Sequence, residues 1–196
     1  VASGGDLNGD GYDEVVVWGE YSSNPAIYVY SGADLVQQDW FLGAELGAAD
    51  ATATWGAPSL SGPREAPLCI APDVDGDGYD ELLFGRCMYW GGPIGPGSFP
   101  SFCVAGASNS LGSRGACGGD IDGDGKVELV LGETGAGRAW LFWGSSLITE
   151  PTSTAQADLQ FQGDATMSEF GYDAEFLGDV DGDGVEDLGV AWANGL

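Results

Sequence analysis

An acidic string of nine residues occurs four times in this chain and constrains its fold more than any other feature. Each copy has oxygen-bearing side chains at positions one, three, five and nine, and glycine at positions four and six. The copies span residues 6–14, 73–81, 120–128 and 179–187, called here the first to fourth loops. Alternating carboxylates in a tight glycine-containing turn surround a hard cation that takes oxygen ligands. The string therefore predicts four calcium-binding loops.

The predicted ligands of each loop are the four side chains just named and the backbone carbonyl at position seven. Because a carbonyl serves at position seven, its residue type can vary. The candidates are Asp6, Asn8, Asp10, Tyr12 and Glu14; Asp73, Asp75, Asp77, Tyr79 and Glu81; Asp120, Asp122, Asp124, Lys126 and Glu128; and Asp179, Asp181, Asp183, Val185 and Asp187. Two carboxylates ~4 Å apart repel by about 4 kcal/mol at an effective dielectric near 20, so about four Ca²⁺ are expected.

The residues after each loop distinguish it from a helical calcium switch. An EF-hand needs glutamate at position twelve and a helix beyond it. Position twelve is instead Val17, Phe84, Leu131 or Val190. Magnesium is disfavoured because it prefers few protein ligands and keeps several waters.

Short runs rich in β-branched and aromatic residues alternate with glycine and proline along the whole chain, which is typical of β-strands. A first run follows each loop, and a second run ends in glycine. The first runs are residues 15–19, 82–85, 129–132 and 188–191, and the second runs are 27–32, 87–91 and 139–144. A single helical turn is expected only within 150–158. The pattern predicts one all-β repeat domain over residues 1–196, whose first repeat begins at its loop without a preceding strand.

The four cysteines and the absence of histidine limit the chemistry of the chain. Histidine-based zinc sites and Ser-His-Asp catalysis are excluded, and we expect no enzyme. An even cysteine count favours two disulfides in an extracellular protein, with four buried thiols as the alternative. Because Cys69 and Cys87 flank the second loop, we expect Cys69–Cys87 and Cys103–Cys117 among the three pairings.

The formal net charge of −26 limits the partners of the chain. It would repel nucleic-acid phosphates and anionic lipids. No apolar run reaches the length of a membrane span, so no membrane insertion is expected.

The fourth copy carries the sequence Phe170-Gly171, followed eight residues later by the string that begins at Asp179, and Leu111-Gly112 precedes Asp120 in the same way. This unit resembles the FG-GAP repeat of integrin α-subunit N-terminal domains, whose repeats are blades of a seven-bladed β-propeller with calcium in hairpin loops. Similar repeats occur in bacterial integrin-like surface proteins. The resemblance therefore implies that this chain is a bacterial integrin-like protein. Seven blades of ~60 residues would need roughly 420, so about four repeats are expected, either part of a larger propeller or a small closed four-sided β-structure.

The resemblance and the loops together imply a calcium-binding module, extracellular or at the cell surface, that mediates protein interaction or cell adhesion. The metal would be structural, and the partner a protein ligand or other surface protein. One alternative is a carbohydrate-binding, lectin-like module that stacks a glycan on tryptophan or tyrosine. The other alternative is an accessory domain of a secreted enzyme. Trp18, Trp90 and Trp143 recur at strand ends before glycine, which favours repeated core packing over sugar stacking.

Overall fold

The computed structural model describes residues 1–21, 24–37, 47–56, 66–164 and 169–193. Within these ranges nearly all regular structure is β, so the predicted all-β class is confirmed. The strands are β1 (Ala2–Ser3), β2 (Val15–Tyr21), β3 (Asn24–Tyr30), β4 (Ala53–Gly56), β5 (Leu68–Ala71), β6 (Glu81–Phe84), β7 (Cys87–Tyr89), β8 (Phe102–Cys103), β9 (Leu111–Gly118), β10 (Glu128–Glu133), β11 (Arg138–Phe142), β12 (Leu159–Gln162), β13 (Phe170–Phe176) and β14 (Leu188–Trp192). The helices are α1 (Gly32–Gln37) and α2 (Gly144–Leu147), and 3₁₀ turns cover Ala48–Asp50, Thr134–Ala136 and Thr154–Gln156.

The strands form four antiparallel sheets in chain order, one for each acidic loop. The first three are β1–β4, β5–β8 and β9–β12, and the fourth is the pair β13–β14. Each acidic loop joins the first and second strands of its sheet. The first strands contact one another in sequence, β1 with β5, β5 with β9 and β9 with β13. The described strands thus form four separate, stacked sheets, as expected for propeller-like repeats, and no closed barrel.

Three apolar clusters of buried residues lie between consecutive sheets. Strand β6 shows how one strand serves two of them. Its Leu82 and Phe84 belong to the cluster shared with the first sheet, whereas Leu83 belongs to the cluster shared with the third. Successive side chains of a strand point to opposite faces, so a sheet packed on both faces needs an unbroken apolar run. Fully burying one such side chain contributes about 1.5–3 kcal/mol.

Two glycines explain how adjacent sheets approach so closely. Gly112 and Gly171, which precede the third and fourth loops, both have positive φ, 71° and 81°. A Cβ on Gly171 would collide with the backbone of Arg138 at the start of β11, and one on Gly112 with the backbone before β7. Each glycine therefore lets a first strand lie against the third strand of the preceding sheet. This is the physical reason for a glycine eight residues before each of these loops.

Two expectations about local structure had different outcomes. The single turn expected within 150–158 is present as the 3₁₀ turn Thr154–Gln156, but the expectation of helical structure only there is wrong, because α1 and α2 lie outside that segment. The expectation that the first repeat starts at its loop is wrong, because β1 pairs with β2 through Ala2 and Ser3. Two residues give too little periodicity to reveal a strand in sequence. Among the described helices, none is long and apolar enough to span a membrane.

The disulfides are Cys69–Cys117 and Cys87–Cys103, so the expected pairing Cys69–Cys87 and Cys103–Cys117 is wrong. Two disulfides do form, as the even cysteine count indicated. Cys69 lies on β5 and Cys87 on β7, and β6 runs between them. Cys87 instead faces Cys103 directly across β7 and β8, with a Cα–Cα distance of 4.1 Å. Cys69 reaches Cys117 on β9 and links the second sheet to the third.

Candidate calcium sites

Each acidic loop is built on two glycines with positive φ. In the second loop Gly76 and Gly78 have φ values of 83° and 90°, and the equivalent glycines of the other loops have the same sign. A residue with a Cβ rarely adopts this conformation. In the second and third loops the carboxylates at positions one, three and five lie together, whereas the grouped carboxylates of the fourth loop are those at positions one, three and nine.

The carboxylate at position one of each loop accepts hydrogen bonds from backbone N–H groups later in the same loop. In the first loop the carboxylate of Asp6 accepts hydrogen bonds from the backbone N–H groups of Gly9, Asp10 and Gly11, at 2.6, 3.1 and 2.8 Å. The carboxylate of Asp179 accepts the equivalent three in the fourth loop. Several N–H donors hold the negative charge of this carboxylate in place.

Positions three and five continue the same pattern. The side-chain oxygen at position three accepts the N–H of position five, and the carboxylate at position five accepts the N–H of position seven. The first contact measures 2.8, 3.0, 3.1 and 3.1 Å in the four loops, and the second 3.0, 3.0, 2.9 and 2.9 Å. Because each of these oxygens has further lone pairs, it can still bind a cation.

The carboxylate at position nine joins the loop to the core. Glu14, Glu81, Glu128 and Asp187 accept the N–H of position two at 2.8, 2.6, 2.7 and 2.9 Å. The three glutamates are buried, and Glu81 and Glu128 are the first residues of β6 and β10. The position-nine carboxylate therefore ties the start of the loop to the beginning of the following strand.

The structure brings most of the predicted carboxylates together. The third loop gathers Asp120, Asp122, Asp124 and Glu128, with one oxygen of each within 4.8 Å of the others. The second and fourth loops gather three each, namely Asp73, Asp75 and Asp77, and Asp179, Asp181 and Asp187. In the first loop the Asn8 amide donates to Asp10 and Glu14, at 3.2 Å each, so a neutral group stands between two acids.

Glu81 tests whether a cation fits these loops. One of its oxygens is buried and has no hydrogen-bond partner. Burial, together with the negative charges of Asp75, Asp77 and Asp73, raises the pKa of Glu81 to about 8. Burial likewise raises the pKa of Glu128 to about 6, and that of Glu14 above its usual range. A buried carboxylate oxygen without a partner is costly, and a dication within reach of it would satisfy it. The grouped carboxylates of this loop are Asp73, Asp75 and Asp77, so Glu81 would have to join them. The donor set therefore fits calcium.

One residue of these loops was missed by the motif. Asp80, at position eight of the second loop, accepts the backbone N–H of Asp6 in the first loop at 2.7 Å. The signal available in the sequence was a carboxylate at position eight in three of the four copies, Asp13, Asp80 and Glu186, against Val127 in the third.

The family model for the FG-GAP repeat matches residues 113–142. This segment holds most of β9, the third loop, β10 and β11, the part of the chain in which the acidic cluster is most complete. The chain therefore contains an FG-GAP repeat, as the resemblance of the sequence indicated. No curated protein matches the chain.

Proposed function

We propose that this FG-GAP repeat protein is a calcium-stabilised extracellular module that mediates protein interaction or cell adhesion. The strongest support for calcium binding is the group of carboxylates in the third loop. There Asp120, Asp122, Asp124 and Glu128 place four carboxylate oxygens within 4.8 Å of one another. Like charges this close are stable together only when a cation or protons neutralise them.

The position of the loops supports a structural role for the metal. Each loop joins two neighbouring strands, and its ninth residue begins or immediately precedes the second strand. Bound Ca²⁺ supplies the positive charge that offsets the carboxylate repulsion. The carboxylates themselves hold the loop backbone, so their repulsion without metal would strain the turn and the start of the strand. Folding free energy should therefore depend on metal binding.

Two disulfides support an extracellular location. Disulfides persist in oxidising compartments and are rare in the reducing cytosol. Extracellular modules bind calcium with dissociation constants of ~10⁻⁴–10⁻³ M, which suits a calcium-rich exterior.

A protein partner is supported by the resemblance to integrin propellers and by two exposed apolar side chains. Ile94 and Phe99 are 94% and 85% exposed on the segment between β7 and β8. The glycan alternative gains less support. Trp18, Trp90 and Trp143 each pack partly buried against one of the apolar clusters between sheets, as the recurrence before glycine favoured.

Calcium content and thermal unfolding test the metal part. The wild-type chain should retain stoichiometric calcium, and a chelator should lower its Tm. Glu128→Gln should lose one ion, whereas Glu175→Gln, the same substitution at an exposed site on β13, should lose none. An unchanged Tm in chelator, with no retained ion, would show that the metal proposal is wrong.

Adhesion is tested separately on surfaces coated with the protein. Cells or purified surface proteins should bind the wild type in calcium and bind less to Ile94→Ser/Phe99→Ser of unchanged Tm. Equal binding by the two proteins would count against this apolar contact, and binding by neither would count against adhesion itself.

A further inference from the structure

The carboxylate of Asp80 connects the first two loops. One of its oxygens accepts the backbone N–H of Asp6 at 2.7 Å, and the other accepts the backbone N–H of Asp73 at 3.1 Å. Asp6 and Asp73 are the residues at position one of the first and second loops. A single side chain therefore fixes the residue that opens each loop.

Further contacts bind the same two loops to each other. The backbone N–H of Asp80 donates to the carbonyl of Asp6 at 3.0 Å, which makes the connection reciprocal. The ring of Tyr79 lies so close to Gly9 that a Cβ there would collide with it. After β7 the chain returns to the first loop, where the N–H of Gly92 donates to the carbonyl of Leu7 at 3.0 Å.

The third loop lacks this connection at the equivalent position. Position eight of the third loop is Val127, which has no side-chain acceptor. The hydrogen bonds within the third loop match those of the other loops. Glu128 accepts the backbone N–H of Ile121, and Asp120 accepts that of Gly125. The third loop thus provides a natural comparison within the chain.

We propose that calcium binding at the first and second loops is positively coupled through Asp80, and that the third loop binds independently of them. The proposal rests on the calcium function proposed above. Asp80 lies between Tyr79 and Glu81, which are both at ligand positions of the second loop. Ordering these residues for metal in the second loop also fixes Asp80 against Asp6 and Tyr79 against Gly9. The first loop then loses less conformational entropy when it binds its own calcium ion. Its calcium affinity is therefore higher, which is positive cooperativity.

Repulsion between the two bound calcium ions opposes the positive coupling through Asp80. Two dications in adjacent loops repel each other, and without Asp80 this repulsion would make the second ion bind more weakly. The sign of the measured coupling therefore separates the two effects. Coupling factors between protein sites are typically about 5- to 150-fold.

Backbone amide NMR can follow each loop separately. The N–H groups of Gly11, Gly78 and Gly125 donate to the position-one carboxylate of their own loops, at 2.8, 3.1 and 2.9 Å. Their shifts should report calcium in one loop each. Asp75→Ala inactivates the second loop and leaves Asp80 in place. It should weaken calcium binding reported by Gly11 by roughly five-fold or more.

Three comparisons give the control. Asp122→Ala, which inactivates the third loop, should leave the Gly11 titration unchanged. In an Asp80→Asn background, Asp75→Ala should no longer weaken the calcium binding reported by Gly11, because an amide cannot accept both N–H groups in the same way. Asp13→Asn, the same substitution at position eight of the first loop, should leave the effect of Asp75→Ala intact. Amide dispersion at saturating calcium checks that each variant is folded.

The outcomes separate this inference from the calcium function. If none of the glycine amides responds to calcium, the metal function is wrong and the coupling with it. If all three respond but Asp75→Ala leaves the Gly11 titration unchanged or tightens it, only the coupling is overturned. The same conclusion follows if the coupling survives Asp80→Asn.

Discussion

Glu81 accepts a hydrogen bond from the backbone N–H of Val74 at 2.6 Å, while its second oxygen is buried without a partner. One oxygen of Glu81 thus anchors the second loop to β6. The other oxygen is available to bind a cation. Burial raises the pKa of Glu81 to about 8. This combination makes the metal-free state of the second loop sensitive to pH.

The metal-free protein should become less stable as the pH rises through about 8. The pKa of Glu81 is about 8 in the folded chain against 4.5 as its ordinary value, so the folded state holds this proton more tightly. That contribution to stability is fully present below about pH 4.5 and is lost as the pH rises through about 8. Denaturant unfolding in chelator at pH 6.5 and 8.5 measures it.

Glu81→Gln keeps a neutral side chain at every pH and should flatten this dependence. Glu175→Gln, at the exposed site on β13, should keep the wild-type slope. Equal slopes for the wild type and Glu81→Gln would contradict the assignment to this carboxyl group.

Asn8→Asp should make the first loop bind calcium more tightly. The other three loops have aspartate at this position, and the number of charged ligands tunes calcium affinity. The metal-free variant should be less stable than the wild type, because the Asn8 amide now donates to Asp10 and Glu14, whereas a carboxylate would repel them. Calorimetric titration and melting in chelator measure the two opposite effects. Weaker calcium binding, or a metal-free Tm above that of the wild type, would contradict this account.

Gly171→Ala should destabilise the contact between the third and fourth sheets. Gly171 has a φ of 81°, and a Cβ would collide with the backbone of Arg138. Gly178→Ala is the matched control, because Gly178 has a φ of 71° and open space around it. The control should lose about 1–2 kcal/mol from left-handed strain alone. Gly171→Ala should lose about 1–3 kcal/mol more through the collision. Equal losses in denaturant unfolding would show that the close approach contributes nothing.

The Cys69–Cys117 disulfide should stabilise the chain more than Cys87–Cys103. The two bridges span sequence separations of 48 and 16 residues. In the chain-entropy account the longer closed loop contributes about 1 kcal/mol more. The paired alanine variants, Cys69→Ala/Cys117→Ala and Cys87→Ala/Cys103→Ala, compare them by denaturant unfolding.

Peptide mapping without reduction should recover the same two pairs. A cross-linked peptide that contains Cys69 and Cys87 would show that the connectivity is wrong. A larger loss for the Cys87–Cys103 variant would mean that the buried packing of Cys87 outweighs loop length.

The turns of the acidic loops and most strands could be predicted because their determinants are local. Carboxylates at alternate positions with glycine at four and six specify a turn within nine residues, and the structure forms it in all four copies. The apolar runs after the loops become β2, β6, β10 and β14. Strand β1 was missed because its two residues are too few to show a pattern of their own, although they pair with β2, the next strand in the chain.

The sequence by itself determined the repeat, the spacing of the acidic side chains in each loop and the all-β class, since each depends on residues a few positions apart. The tertiary structure decided which distant residues meet. Cys69 pairs with Cys117 because β6 separates it from Cys87, and Asp80 reaches Asp6 across 74 positions of chain. Such contacts follow from the order of strands and the stacking of sheets. That arrangement is set by the burial of all three apolar clusters together, which no single repeat encodes.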